Sequence, residues 1–219
     1  MEKQTIVIRK IRDGQLIEKK DEVALEESYG YVMQTGEKIE GTCTPTYVEE
    51  MILGSRFLKN DLTVKERESL GLNAEKEPVF KEAAIPSIFD VAERCFEIPG
   101  SLFADTGCAH SCALVYEGKV MCQMEDIGRY NALDKSIGYA LMHQIPLRDC
   151  FVFASGRISK EYLTKAIKAG FPMVVSRAAV TKAAVDLAKE KNITLVGFIR
   201  KNSGNIYHEG NVKLNEQSR

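Results

Sequence analysis

The alternation of apolar runs with amphipathic segments in the second half of the chain constrains the fold most. Three runs predict buried strands: DCFVFAS (149–155), PMVVS (172–176) and ITLVGFIR (193–200). Two segments between them predict helices: SKEYLTKAIKAG (159–170), which ends on glycine, and TKAAVDLAKEKN (181–192). Strands that alternate with helices of this length favour an α/β domain whose sheet is largely parallel.

A hairpin and two further helices precede these strands. CALVYEGKVMCQM (112–124) predicts a hairpin that turns at Glu117-Gly118. The helices are predicted at 86–97 and from about Gly128 to His143. We therefore place a C-terminal α/β domain at residues 86–219.

The first 85 residues predict a smaller, β-rich α+β part that ends in a linker. Residues 4–12 alternate like a strand and lead into the turn signal Asp13-Gly14, and residues 16–25 and 29–35 can supply further strands. In TCTPTYVEEMILGSRFLKN (42–60), Thr44 is a predicted helix cap and Pro45 suits the first helical turn. Residues 60–84 are charged, lack clear periodicity and predict a linker.

The composition limits the classes of partner that the protein is expected to bind. The 219 residues are 44% hydrophobic and 28% charged, with a formal net charge of -1, an ordinary globular balance. A nucleic-acid-binding chain favours a basic balance, so no nucleic acid is expected. No apolar run reaches the roughly 18 residues that span a bilayer, and the N-terminus has no secretory hydrophobic region. We expect a cytoplasmic protein with no membrane partner.

Arginines at the ends of three predicted strands indicate a binding site. Ligands of open α/β sheets gather beyond the carboxyl ends of the strands. Arg157, Arg177 and Arg200 all fall there. Ser155, Gly156 and Arg157 also precede a predicted helix, whose free N–H groups favour an anion. A single polar loop after a strand would be ordinary. The three loops together, each with an arginine, predict a phosphate-bearing ligand.

The charged stretch EDIGRYNALDK (125–135) fits the same site. Asp126 precedes the predicted helix, and Arg129 and Asn131 can hydrogen-bond a ligand. We expect Asp134 and Lys135 to face solvent or to pair with neighbouring loops. The alternative is that the whole stretch is a solvated helix face.

Six cysteines and three histidines give little support for a metal site. Cys108 and Cys112 flank His110, but a structural zinc site needs four ligands and usually a second clustered pair. No CxxC is present. We predict no bound metal and expect most of these thiols to be small buried groups.

Several motifs together resemble one family, the formate dehydrogenase accessory sulfurtransferases (FdhD). EDIGRYNALDKSIG resembles the family's EDxGRHNAxDKxxG, and LFADTGCAH its LFxxTGGxH. VFASGRIS is similar to the SGRxS segment, ITLVGFIRKNSGNIY to the closing LxGFxRxxxxNIY, and TCTPTYVEEMILGSRF to MCTPxDxEDLxxGFL. The motifs occur in family order over roughly residues 40–210.

The resemblance implies a cytidine-deaminase-like α/β/α domain, a homodimer and a sulfur carrier. In the family, persulfide sulfur from a cysteine desulfurase passes to a molybdenum or tungsten cofactor, bis-molybdopterin guanine dinucleotide, which then enters formate dehydrogenase. A GDP-like nucleotide is expected to substitute for that ligand. The family's cofactor-contacting segment maps onto six residues here, Phe198, Ile199, Arg200, Lys201, Asn202 and Ser203.

The chain departs from the family where sulfur is carried. The family's CxxC lies in a loop that looks shortened here, Tyr130 replaces a histidine, and Cys108 replaces a glycine. Candidate persulfide carriers are Cys108, in a loop near His110, and Cys43, whose thiolate a helix dipole would stabilise. The alternative is a non-catalytic cofactor- or nucleotide-binding chaperone or regulator. A deaminase-like hydrolase would need an HxE…PCxxC pattern, which is absent.

Overall fold

A computed structural model describes residues 2–72, 78–95 and 98–216 of the chain. Its strands are β1 (Lys3–Arg12), β2 (Gln15–Ala24), β3 (Glu27–Val32), β4 (Lys38–Cys43), β5 (Glu82–Ala84), β6 (His110–Tyr116), β7 (Lys119–Asp126), β8 (Cys150–Ala154), β9 (Met173–Ser176), β10 (Thr194–Arg200), β11 (Ser203–His208) and β12 (Lys213–Asn215). Its α-helices are α1 (Val48–Leu58), α2 (Val64–Ser69), α3 (Ile85–Arg94), α4 (Leu102–Thr106), α5 (Arg129–Met142), α6 (Lys160–Ala169) and α7 (Lys182–Glu190).

One six-stranded sheet, in the order β11-β10-β9-β8-β6-β7, organises the fold. Strands β8, β9 and β10 are parallel, whereas β6, β7 and β11 each pair antiparallel with a neighbour. Because strand side chains alternate between faces, Leu114 and Val152 pack in the core with α5, α6 and α7, while Val115 and Phe153 pack with α3. The predicted three-layer α/β/α class is confirmed.

Helix α5 lies directly against α1. A Cβ added to Gly54 of α1 would lie 2.1 Å from the carbonyl oxygen of Asp134. A Cβ added to Gly138 of α5 would lie 1.8 Å from the carbonyl oxygen of Glu50. Each glycine therefore lets its helix touch the backbone of the other helix.

The N-terminal part forms two separate antiparallel hairpins, β1–β2 and β3–β4. Asp13 and Gly14 make the predicted β1–β2 turn, both with positive φ. The structure does not test the predicted division of the chain at residues 85 and 86, which stays a prediction. Strand β5, before that division, pairs parallel with β12.

Two predictions in this part are wrong. Helix α1 begins at Val48 with Tyr47 as its N-cap, and the hydroxyl of Thr44, the predicted cap, instead accepts a hydrogen bond from Lys135 Nζ at 2.6 Å. The predicted linker 60–84 contains α2, which a capping box between Thr63 and Glu66 stabilises, and strand β5.

Part of that linker, residues 73–77, lies outside the described residues, as do the last two residues of the predicted helix 86–97. Among the helices that are described, none combines the length and apolarity needed to cross a bilayer.

Candidate functional site

The predicted polar residues gather at one edge of the sheet, where β8, β9 and β10 end. The first residue of β6, His110, pairs there with the last residue of β7, Asp126. The Ser111 N–H donates to Ser155 Oγ at 2.8 Å, and the Ser155 N–H donates to the Ser111 carbonyl at 3.0 Å. These bonds tie the loop after β8 to the start of β6. We call this region the site edge: residues 108–111, 126–130, 155–159 and 176–178.

Positive charge converges on His110 at the site edge. A Cβ added to Gly156 would lie 3.1 Å from His110 Nδ1 and 3.5 Å from Arg129 Cβ, so both side chains pack against this glycine. Burial lowers the pKa of His110, and the charges of Arg129 and Arg157 lower the pKa further. Arg157 is exposed. The imidazole is therefore neutral at pH 7, inside a positive field that favours a bound anion.

His110 was not predicted as a site residue. In the sequence it lies in GCAHSC and in LFADTGCAH and is named only as a neighbour of Cys108. The position of His110 could have indicated the site. It begins β6, which pairs antiparallel with β8, so it lies beside the end of β8 and the loop that carries Arg157.

The N-terminus of α5 is open to an anion. Its N-cap is Gly128, and no side chain among the described residues caps it. Its first turn holds no acidic residue but begins with Arg129. A cation at that end opposes the helix dipole unless an anion lies nearby. Arg129 Nε is buried and has no hydrogen-bond partner among the described residues. The geometry therefore leaves donors that a phosphate oxygen can satisfy.

The N-terminus of α6, where an anion was predicted, is capped by the protein's own side chain. Ser159 caps that helix by accepting a hydrogen bond from the Tyr162 N–H, and Glu161 adds negative charge in the first turn. The open helix end is that of α5 instead. Arg157 lies at the site edge. Ser176 holds the loop that carries Arg157 by donating from its hydroxyl to the Gly156 carbonyl at 2.8 Å.

Asp126 and Asn131, both predicted ligand contacts, are bonded to other groups of the protein. Asp126 is 0% exposed and forms an ion pair with Lys135 at 2.8 Å, also buried. Its other oxygen accepts from the Gly128 N–H at 2.8 Å and from Asn131 Nδ2 at 2.9 Å. Asn131 Nδ2 also donates to the Thr42 carbonyl at 2.8 Å. The carboxylate of Asp126 therefore has no oxygen left for a ligand.

Asp134 and Lys135 do not face solvent either. Both are buried, and Asp134 pairs with Lys165 at 2.6 Å. Lys135 also donates to Thr44 Oγ1 at 2.6 Å. The stretch 125–135 therefore joins β4, α6 and the sheet. Of the ligand contacts predicted in it, Arg129 keeps a donor that has no partner among the described residues.

The segment 198–203 lies at the end of β10 and its turn into β11. Phe198 has a positive φ of 54° at a β-bulge, donates its N–H to the Ala178 carbonyl at 3.1 Å and is 38% exposed. The polar residues Arg200, Lys201, Asn202 and Ser203 are exposed. Ile199, a predicted cofactor contact, is 3% exposed and packs in the core on the α3 side of the sheet. Arg177 follows β9, and its N–H donates to the Ala154 carbonyl at 3.0 Å.

Cys108 is exposed, in contrast to the other thiols. It follows α4, and its N–H donates to Thr106 Oγ1 at 3.0 Å. Cys43 is fully buried at the end of β4, where burial raises its pKa, so the expected stabilisation of its thiolate is wrong. Cys112 lies in the core, away from Cys108. In the described ranges no three His, Cys, Asp or Glu residues are grouped as metal ligands.

Comparisons with known proteins agree on one family. The profile of the FdhD/NarQ family matches residues 73–212. A relative from Bacillus pumilus, named sulfur carrier protein FdhD, is 34% identical, with 92% of this chain and 94% of the relative aligned. That alignment runs over 248 positions, more than this chain's 219 residues, so the relative carries stretches that this chain lacks. A relative of the same name from Bacillus licheniformis is 31% identical over 89% of this chain and 91% of the relative.

The fold has a solved counterpart as well. A crystal structure from Desulfotalea psychrophila, described as a formate dehydrogenase accessory protein, superimposes with a TM-score of 0.80 at 23% identity, over 95% of this chain and 97% of that one. This likeness shows the fold alone. The profile match and the identity to the full-length relatives show that the chain belongs to the FdhD/NarQ family.

Proposed function

We propose that the chain is a sulfur carrier in formate dehydrogenase maturation. It receives sulfur from a cysteine desulfurase and delivers it to a molybdenum or tungsten cofactor with two guanine dinucleotides, bis-molybdopterin guanine dinucleotide. The names of the relatives support the sulfur-carrier role. We further propose a homodimer, as the resemblance implies, and a cytoplasmic location.

The observation that carries the proposal is that an exposed thiol and an anion site share one edge of the sheet. Arg129, Arg157 and the open N-terminus of α5 supply donors for the phosphates of the ligand. Exposed Phe198 supplies an aromatic face that a guanine base can stack on. The donor set therefore fits a guanine dinucleotide, which is the substrate in this reaction.

Cys108 is the thiol we assign to sulfur transfer. Its thiolate attacks the terminal sulfur of the donor persulfide R–S–SH, so that a new S–S bond forms and the donor's S–S bond breaks. The products are Cys108–S–SH and R–SH, with no net oxidation. His110 follows two residues later, at the start of β6. Its neutral imidazole can take the Cys108 proton through one water and return it to the leaving thiolate.

Nucleotide binding tests the anion site. Calorimetry with GDP should show binding to the parent and at least about tenfold weaker binding to Arg157→Ala, because one charged hydrogen bond is lost. Arg9→Ala, on the exposed β1–β2 hairpin, is the matched control and should bind like the parent. If GDP does not bind, or if both variants bind equally, the assigned site is wrong.

Sulfur labelling tests the carrier role. The protein is incubated with a cysteine desulfurase and labelled cysteine, and reducible sulfur is sought on the intact chain by mass spectrometry. Label should appear on the parent and be lost in Cys108→Ser. Unlabelled protein would favour the second candidate, a non-catalytic cofactor-binding chaperone or regulator, which the missing CxxC also favours.

A further inference from the structure

We infer that Tyr130 is a positioning residue that holds Arg129 at the site edge and keeps it from pairing with Glu161. This inference deepens the proposed function and rests on it, because Arg129 is part of the proposed anion site. The family motif has a histidine at this position, so the role belongs to this chain's own side chain.

Tyr130 contacts the guanidinium of Arg129 in two ways. Arg129 Nη2 donates to the Tyr130 hydroxyl at 3.1 Å. The guanidinium carbon also lies 4.6 Å from the centre of the Tyr130 ring, which is the geometry of a cation–π contact. Together these contacts fix the direction of Arg129, while its buried Nε stays unbonded within the described part of the chain.

The hydrogen-bond partners of the Tyr130 hydroxyl fix the direction in which it donates. Tyr130 Oη lies 3.0 Å from Glu161 Oε2 and 2.9 Å from Ser159 Oγ. A carboxylate only accepts, so the single proton of the phenol points to Glu161. The Tyr130 oxygen then accepts from Arg129 on one side and from Ser159 on another. The hydroxyl is therefore fully bonded, and it stands between Arg129 and Glu161.

The arrangement keeps two opposite charges apart. Both Arg129 Nη2 and Glu161 Oε2 bond the same oxygen, so they lie within about 6 Å of each other, where opposite charges attract. A direct bond between guanidinium and carboxylate is stronger than a bond from guanidinium to a phenol. Without the hydroxyl, we expect Arg129 to turn towards Glu161, which would remove positive charge from the anion site.

His110 reports this change independently of ligand binding. Besides burial, the charges that lower its pKa are Arg129 from α5 and Arg157 from the loop after β8. The carboxylate on the neighbouring strand, Asp126, is already paired with Lys135. If Arg129 turns away, the lowering weakens and the pKa of His110 rises.

The experiment combines calorimetry with an NMR titration of His110. In Tyr130→Phe, GDP affinity should fall about tenfold, because a charged hydrogen bond is lost and Arg129 is displaced, and the pKa of His110 should rise. The double variant Tyr130→Phe with Glu161→Gln should recover most of both changes, since the competing charge is gone. Tyr31→Phe, which removes a hydroxyl bonded to Ser55 at 2.8 Å, is the matched control and should change neither.

Two results would overturn the inference: a His110 pKa in Tyr130→Phe equal to that of the parent, or no recovery in the double variant. If the parent itself does not bind GDP, the ligand of the proposed function is wrong. The positioning role of Tyr130 is then decided by the His110 titration alone, so the two failures are distinguishable.

Discussion

At the scale of single residues, the stretch EDIGRYNALDK separates stabilising charges from functional ones. Glu125 accepts the N–H groups of Leu102 and Phe103 at 2.7 and 3.1 Å and so caps α4. The carboxylates of Asp126 and Asp134 each pair with a lysine. Arg129 alone of these charged groups is left with an unbonded buried donor in the part of the chain that the structure describes. One motif thus builds the site edge and supplies its cation.

Asp134 gives a prediction of pH-dependent stability. Burial raises its pKa to about 6, and the charge of Lys165 opposes this only in part. A carboxyl whose folded pKa is raised adds stability at low pH and loses it as the pH rises from about 4 to about 6. An asparagine at position 134 does not ionise, so Asp134→Asn does not lose this stability as the pH rises. Between pH 4 and pH 7, its unfolding free energy should gain up to about 3 kcal/mol relative to the parent.

Urea unfolding at both pH values measures this difference, and comparison with the parent cancels the other titrating groups. Asp90→Asn is the control, because Asp90 is exposed and forms an ion pair with Arg94 one turn away on the same helix. A difference between Asp134→Asn and the parent that stays constant with pH would show that Asp134 does not titrate in this window.

At the scale of elements, two glycines decide how α1 meets α5. Gly138→Ala would place a methyl group 1.8 Å from the Glu50 carbonyl oxygen, which neither backbone can accommodate without moving. We expect the variant to lose at least about 3 kcal/mol of unfolding free energy, because overpacking here displaces a whole helix. Thermal or urea unfolding measures the loss.

Gly30→Ala is the matched control for the helix crossing. At Gly30 the nearest atoms to an added Cβ are 3.4 Å away, so the same chemical change should cost little. Because alanine favours a helix more than glycine does, intrinsic propensity alone would stabilise Gly138→Ala. Equal effects of the two substitutions would therefore contradict the close crossing of α1 and α5.

Elements with strong local patterns could be predicted, and those that depend on distant partners could not. The helix predicted at about 128–143 is α5 at Arg129–Met142, and the strand predicted at 172–176 is β9 at Met173–Ser176. The start of α1 was missed because Thr44 resembles a cap locally but bonds Asp126, far along the chain. Helix α2 is only six residues long, and its one signal was the capping box at Thr63 and Glu66.

At the scale of the whole molecule, the site edge depends on topology. The sequence could place Arg157 and Arg177 together because parallel strands end at one edge. It could not show that α5 and not α6 has the open N-terminus, because capping depends on which side chain reaches the helix end. Nor could it show that Asp126 is buried, since a buried ion pair and a solvated pair have the same residue types.

The distribution of the cysteines through the molecule gives the last prediction. Burial raises the pKa of Cys95, Cys122 and Cys150 to about 12 and that of Cys112 to about 11, and it also raises the pKa of Cys43. The thiolate is the reactive form, so these five thiols should react slowly in the folded protein. Iodoacetamide at neutral pH should therefore add one label to the native chain, at Cys108, and six after unfolding.

Mass spectrometry of the intact chain and of its peptides counts and locates these labels. In Cys108→Ser, the native protein should stay unlabelled and the unfolded protein should take up five labels. Rapid labelling of Cys43 in the native protein would contradict the burial of that thiol at the end of β4. It would also make Cys43 a candidate persulfide carrier again. The pattern of labels thus tests the packing around all six thiols and the choice of Cys108 in one measurement.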